Sequence, residues 1–466
     1  MSQALPSVLE AAVSHRLCSG CGVCAGLLPR SLRMVTDPLG MVQPEALGDP
    51  ADEDWARRSL QVCPFSGQGP NEDALAGELY ADLPGIRHRS ETGYYLDAWS
   101  AHVTDEAQRI ASTSGGIITW LAGELLRTGA AQAVACVGPV EAPDRLFDYQ
   151  LIRDPAGLAR CRKSRYYPVE LSRVLPAVRE LDGRAAVIGL PCFLTALRRA
   201  MRLDPVLRAK IGATIGLFCG HLKSKRYVAY LARHCGVDER GIVAADFRKK
   251  NPGREASDYS FQVTTRQEGR LATREIPMRD VYAGGWSYNL FMLPACDCCD
   301  DVMAETADVA VGDAWLPEFV KDWRGASVVL ARSQPMRALL LGGAERGELA
   351  LAPLEVEQVI GSQAGALRHR RAGLAYRLDL ARARGQWRPP RRVAPNRRSL
   401  PPFNRLIQRL RVRISAASHL GFARQQAQPG LEIFKRHVRF WIYFHDKSYI
   451  IKQFIQGVGK KIFRFH

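Results

Sequence analysis

The sequence predicts an α/β chain in three parts: an α+β module over residues 10–70, a mostly parallel α/β domain over 85–350, and a basic, partly helical extension over 365–466. Three observations predict it. Four cysteines, Cys18, Cys21, Cys24 and Cys63, crowd the first part. In the second, continuous apolar runs alternate with segments of helical spacing, the pattern of buried parallel strands joined by helices. In the third, Lys and Arg accumulate. From Arg368 to His466 there are 24 of them against only Asp379, Glu432 and Asp446, a net of +21, so the whole chain's +18 leaves −3 for the first 367 residues.

At 466 residues, two or three units are expected, and an apolar content of 47% is enough for a full core. The 12 cysteines are too few for a disulfide scaffold. No basic leader precedes a long apolar run before Leu17, and no stretch approaches the roughly 20 apolar residues of a membrane span. The expected home is a reducing cytoplasm, where clustered cysteines mean metal or redox work.

The first part opens on Cys18-Ser19-Gly20-Cys21-Gly22-Val23-Cys24, completed by Cys63-Pro64. Three thiolates at i, i+3 and i+6 wrap one tight loop, and a distant Cys-Pro supplies a fourth, which is the ligand spacing of a bacterial 4Fe–4S site. Gly20 and Gly22 suit a loop that must accept positive φ and lie close to inorganic sulfide. The alternatives are a four-cysteine zinc site, which usually pairs two separate C-x2-C turns, and unliganded thiols. A strand over Leu32–Val35 and the turn Asp37–Gly40 complete a hairpin too small to fold well without its cofactor. The polar run Ser66–Asp73 leads out.

The second part begins with a strand over Tyr95–Val103. Ser112-Thr113-Ser114-Gly115-Gly116 then leads into a helix over Ile117–Leu126. Small hydroxyls and glycines before a helix expose N–H groups to an anion, though the same residues serve as a plain N-cap. Strands follow at Gln132–Val137, Arg184–Gly189, Ile211–Phe218 and Ala307–Gly312, with helices at Leu171–Leu181, Phe193–Met201 and Lys225–His234. Cys192 and Cys219 each fall at the carboxyl end of a buried strand, where open α/β sheets gather ligands. With Cys296 and Cys299 of the run Cys296-Asp297-Cys298-Cys299 they give four thiolates for a second cluster. The competing reading is that each is a small buried hydrophobe.

Taken together, these segments resemble the coenzyme F420 hydrogenase/dehydrogenase beta-subunit family over roughly residues 10–350. The matching pieces are CSGCGVC with the later CP, STSGG before a helix, KSRYYP, GLPC, FC followed by Gly, CDCC and ADVAVGDAW, in the family's order. The resemblance implies an α/β flavoprotein with FAD and iron–sulfur clusters. Ser112, Ser114, Gly115 and Gly116 would lie at the flavin, and Lys163, Ser164, Arg165 and Tyr166 would border the flavin or its substrate. It also implies a second 4Fe–4S cluster on Cys192, Cys219, Cys296 and Cys299. Cys298 departs from the family's pattern and leaves open which of the adjacent pair is the ligand. The N-terminal module looks like the ferredoxin-like one of bacterial members found with cell-surface polysaccharide genes.

The expected function is an electron relay between a one-electron donor and an organic two-electron acceptor, through two 4Fe–4S clusters and FAD. The donor is expected to be a ferredoxin-like protein or a partner redox subunit. Lys163, Arg165, Arg248 and Lys249 are candidates to hold an acidic substrate or neutralise reduced flavin, with ordinary solvated surface as the alternative. His221 reads as structural. Two other functions compete: a non-catalytic electron-transfer subunit, and a membrane-surface adaptor in polysaccharide assembly. In the extension, 385–402 reads as a Pro/Arg-rich linker. Helices follow, with Phe434, Trp441 and Phe454 among Lys435, Arg436, Arg439, Lys460 and Lys461. Such helices suit an anionic membrane surface at the inner face of the cytoplasmic membrane, or pack on the body or on a second subunit. No recognition motif for nucleic acid accompanies the charge, and none is expected as a partner.

Overall fold

An eight-stranded mixed sheet carries the middle of the chain in the computed structural model, which describes residues 7–48, 53–267, 269–425 and 430–462. Side chains beyond Gln453, among them Phe454, Lys460 and Lys461, lie outside the described residues. The first module contributes a hairpin of β1 (Leu32–Thr36) and β2 (Val42–Ala46). The central sheet takes β3 (Asp97–Val103), β4 (Ala133–Pro139), β5 (Phe147–Ile152), β6 (Ala185–Gly189) and β7 (Ile211–Leu217). A separate antiparallel sheet holds β8 (Ile242–Lys249), β9 (Ser260–Gln267) and β10 (Arg270–Pro277). The chain then returns to the central sheet with β11 (Val309–Asp313), β12 (Ser327–Ala331) and β13 (Leu349–Pro353).

The strand order is β13-β3-β12-β11-β7-β6-β4-β5. The expected parallel character resides in the block β11, β7, β6 and β4, whose pairs are all parallel. Antiparallel strands flank the block. β5 runs antiparallel to β4 because the connection between them is too short for the crossover a parallel return needs.

Alternation along β4 sends Ala133 and Ala135 to one face and Val134 and Cys136 to the other. On the second face packs the helix Ile117–Arg127, through Ile117, Leu121 and Leu125. On the first face packs the helix Pro191–Leu203, started by Pro191 at its first turn, through Phe193, Leu194 and Leu197. The same core continues into the cysteine module through Leu17, Cys21, Val23, Cys24 and Leu27. The segment expected to be helical over 171–181 is helical only at Val174–Arg179. Its start is held by the cysteine loop instead, since Leu171 N donates to Cys21 O at 2.9 Å.

The extension wraps the body. Two helices, α1 (Pro402–Gln425) and α2 (Glu432–Ile462), lie against each other, and Gly421 lets them close up: a Cβ there would stand 2.9 Å from His437 Cβ. Gln425 Oε1 accepts from Ile433 N at 2.8 Å and Phe434 N at 3.1 Å, capping α2. Phe434 is 0% exposed, stacked on Phe291 beside Tyr230, so it belongs to the body's aromatic core rather than to a free face. Trp441 is half-buried. Among the described residues, the large apolar side chains that α2 exposes are Phe440, Tyr443, Phe444, Ile450 and Ile451. The 385–402 run crosses the cysteine-bearing side of the body: Arg391 stacks on Phe65 at 4.6 Å and donates to Pro64 O at 3.0 Å. Arg392 is buried against Glu305 at 2.6 Å and Asp73 at 2.7 Å. Arg371, Arg377 and Arg392 of the extension thus pair with carboxylates of the body, Glu305 and Asp297 among them.

Candidate functional site

The cysteine loop owes its shape to two glycines with positive φ, Gly20 at 70° and Gly22 at 75°. A Cβ on Gly20 would stand 2.8 Å from Val42 O, and one on Gly22 would stand 2.2 Å from a Glu170 oxygen, so both glycines also let the loop press onto its neighbours. Cys18 Sγ accepts from Gly20 N at 3.3 Å. Buried Arg199 holds the opposite corner, donating to Cys63 O at 2.6 Å, Gln68 O at 2.9 Å and Pro70 O at 2.8 Å. Cys18, Cys21, Cys24 and Cys63 are mutual electrostatic neighbours. Burial pushes all four thiols up, Cys21 to about 12, and for Cys18 and Cys24 the other thiols add to the push.

A second quartet gathers at the carboxyl ends of β6 and β7. Cys192 opens the helix after β6, and Cys219 follows β7, with its N–H donating to Val302 O at 2.9 Å. Cys296 Sγ accepts from Leu222 N at 3.2 Å. The thiols acting most strongly on Cys192 include Cys299, Cys219 and Cys296, together with Cys21 of the first quartet. Arg370, fully buried in the extension, feels the same four: Cys299, Cys296, Cys219 and Cys192. The charges acting most strongly on Cys298 are instead those of Arg391 and Arg388, and no other thiol is among them. The geometry thus groups Cys299, not Cys298, with the quartet.

Each thiol set supplies the four ligands that a cube of four irons takes. Among the described residues no three His, Cys, Asp or Glu side chains stand close enough to hold a single metal ion. Arg370 donates from Nη2 to Gly220 O at 2.6 Å but leaves Nε and Nη1 without protein partners. A buried guanidinium with spare donors beside four thiols suits an anionic group between them.

Cys219 also lines a cavity of about 900 Å³, a size typical of cofactor sites. Ser112, Ser114, Gly116, Lys163, Ser164, Arg165 and Tyr166 all line it. The two motifs meet there, with Ser164 N donating to Thr113 Oγ1 at 2.7 Å. Gly116, at φ 85°, starts the helix whose first residues, Ile117 to Thr119, face the cavity and present its N-terminus to an anion. Gly115 lies behind the loop. A Cβ there would stand 2.3 Å from Ala101 O, so its smallness serves packing on β3.

The cations differ from expectation in detail. Lys163, at φ 82°, pairs with Asp246 at 3.1 Å, and Arg248 pairs with Asp313 at 2.7 Å between the rings of Tyr259 and Trp315. Lys249 instead turns outward to Glu275, as strand alternation requires. Two lysines escaped the sequence reading. Lys250 anchors the Ser112–Gly116 loop from behind, donating to Arg109 O at 2.6 Å and Ser114 O at 3.1 Å. Lys223 sits between Tyr227 and Trp286, and burial drives its ammonium down to about 7. Arg165 Nε, His221 Nε2, Arg248 Nε and Asn289 Nδ2 are buried in the wall without protein partners, as donors reserved for a bound group would be. The extension closes the remaining wall with Ile407, Gln408, Arg411 and Tyr449.

Comparison with known proteins follows the same segments. Residues 98–176 match the family model for the N-terminal part of the coenzyme F420 hydrogenase/dehydrogenase beta subunit, and 182–357 match that for its C-terminal part. A curated relative, the coenzyme F420 hydrogenase subunit beta of Methanothermobacter thermautotrophicus, is 24% identical over 274 residues, covering 56% of this chain and 86% of its own length. A solved chain of the F420-reducing NiFe hydrogenase complex from Methanosarcina barkeri aligns at a TM-score of 0.47 and 19% identity, over 61% of this chain and 92% of its own. The two matched segments together span more than half of the sequence, and the chain belongs to the coenzyme F420 hydrogenase/dehydrogenase beta-subunit family of oxidoreductases.

Proposed function

We propose that this chain is an iron–sulfur flavoprotein relaying electrons between a one-electron donor and an organic two-electron acceptor. One observation carries the reading: Cys21 and Cys24 of the first set share one buried core with Cys192 and Cys299 of the second, and Cys219 lines the cavity, which supports a path from one set through the other to the cavity. Cys18, Cys21, Cys24 and Cys63 would hold one 4Fe–4S cluster, and Cys192, Cys219, Cys296 and Cys299 a second. FAD would be bordered by Ser112, Ser114, Gly116, Lys163, Ser164, Arg165 and Tyr166. When bound, the clusters supply one-electron steps and FAD couples them to a two-electron one.

The chain's own side chains do the rest. Lys163 and Arg248 are pinned by Asp246 and Asp313, so their N–H donors stay fixed on one wall for a bound group. Tyr166, edge-on to Trp286 at 4.7 Å, keeps that wall apolar and excludes water. The buried thiols favour their neutral form until a metal takes them, so loading releases protons. The curated relative is a hydrogenase subunit, which supports a partner redox subunit here, with a ferredoxin-like donor as the alternative.

For location, among the described residues no helix is long and apolar enough to cross a membrane. We place α2 against an anionic membrane surface, supported by exposed Phe440, Tyr443, Phe444 and Ile450 among exposed Arg436, Arg439 and Lys447. The test of the relay is the visible spectrum of anaerobically purified protein, with iron, sulfide and flavin quantified. Iron and sulfide in two-cluster amounts with one flavin per chain are expected. Zinc in place of iron, or protein without flavin, would overturn the reading.

A further inference from the structure

Two cysteines outside both quartets meet in the cavity wall. Cys136 is on β4 and buried; Cys161 follows the short helix Pro155–Arg160 and is half-buried. Both line the cavity, and each thiol is the group that acts most strongly on the other. Gly138, two residues beyond Cys136 on the same face of β4, makes the room: a Cβ there would lie 2.7 Å from Cys161 Sγ. The Cys136 S–H lowers the Cys161 thiol below its ordinary value, and the charges of Arg165 and Arg160 lower it further. The neighbouring Cys161 thiol, and then burial, push Cys136 up. One thiol is thus poised as the nucleophile, exposed to the cavity, and the other stays protonated behind it, which is the asymmetry of a reactive pair. Neither cysteine is used by the cluster reading.

We propose that Cys136 and Cys161 are a redox-active dithiol that closes to a disulfide in the cavity wall, with an oxidised flavin in the same cavity as its oxidant. Two S–H bonds break and one S–S bond forms; two electrons and two protons pass to the flavin. The reverse step opens the disulfide again. The pair thereby stores one two-electron equivalent next to the site where single electrons are gathered. The oxidant's identity rests on the flavin reading of the cavity; the pair itself does not.

The test uses the full-length protein purified anaerobically, with its flavin and iron quantified. After mild oxidation with diamide, alkylation and peptide mapping should recover a peptide linked through Cys136 and Cys161, with iron unchanged. In reductive titration from the oxidised state, wild type should take up two more electron equivalents per chain than Cys161→Ser. Gly138→Ala keeps both cysteines but displaces the Cys161 sulfur, and should slow the linkage at least several-fold. Both cysteines alkylated after oxidation, together with equal electron uptake by wild type and Cys161→Ser, would overturn the proposal. A linked peptide in protein without flavin would support the dithiol and overturn the flavin reading of the cavity. Full flavin without linkage would do the opposite.

Discussion

Arg370→Gln isolates what the extension contributes to the inner quartet. The side chain is 1% exposed, held by Gly220 O at 2.6 Å, and its strongest charged neighbours are the four thiols Cys299, Cys296, Cys219 and Cys192. Two unit charges about 4 Å apart interact by about 4 kcal/mol at an effective dielectric of about 20, and by about 2 kcal/mol at twice that distance. A thiolate-held cluster becomes more negative on reduction, so a nearby positive charge favours the reduced state. Glutamine keeps a donor for Gly220 O and removes the charge. At about 59 mV per tenfold for one electron and about 1.4 kcal/mol per tenfold, a loss of about 2 kcal/mol lowers the midpoint by about 80 mV. A potentiometric titration followed by electron paramagnetic resonance should therefore show the inner cluster about 80 mV more negative, the outer one unmoved, and iron content retained. Arg370→Lys should restore most of the shift. Unchanged midpoints, or an equal shift in both clusters, would refute the assignment of this guanidinium to the inner site.

Gly115→Ala should cost about 1–3 kcal/mol and lower bound flavin, because its Cβ meets backbone at Ala101 O that cannot swing aside. Gly123→Ala, with open space around its Cβ in the helix that follows, should leave Tm and flavin unchanged or slightly raised. Cys18→Ser should lose about half of the iron and keep flavin, whereas Cys219→Ser, at the cavity wall, should lose iron and flavin together. Replacing Phe440, Tyr443 and Phe444 with Ser should abolish the salt-resistant part of binding to anionic vesicles in co-sedimentation without lowering Tm, since all three are exposed. Equal partitioning of this variant and wild type would remove the membrane from the reading of α2.

The parts of the site that were legible in the sequence are those specified locally. Ligand spacing in one loop pointed to Cys18, Cys21 and Cys24. Apolar runs ending in Cys placed Cys192 and Cys219 at strand ends, where the central parallel block puts them. What stayed hidden depends on long-range packing. Arg199, Arg370 and Arg392 carry no local signal, because arginines are usually solvated, yet each is buried where a carbonyl, a thiol set or a carboxylate needs a donor. Phe434 and Phe440 share one amphipathic helix, and only packing on Tyr230 and Phe291 decides which of them faces inward. Cys136 and Cys161 are 25 residues apart, and the β4–β5 hairpin with its following helix brings them together. Cys298 and Cys299 cannot be separated by spacing; the turn Pro294–Cys298 separates them.

The extension is best understood as part of the redox unit. The family's matched segments stop at residue 357, yet Arg370 at the inner quartet, Arg391 beside Cys63 and Pro64, and Ile407, Gln408 and Arg411 in the cavity wall all lie beyond it. The first 367 residues carry a net −3, and loading two clusters onto eight thiolates would make that body more negative still. A basic strap across the thiol sets offsets that charge where solvent cannot screen it. The same residues thus pack on the body and close the cavity, while α2 keeps Phe440, Tyr443 and Phe444 exposed for a surface. Cutting the chain at Arg398 would open the cavity as well as remove that face, so loss of vesicle binding in such a truncation would not identify the membrane contact; substitution of Phe440, Tyr443 and Phe444 alone does.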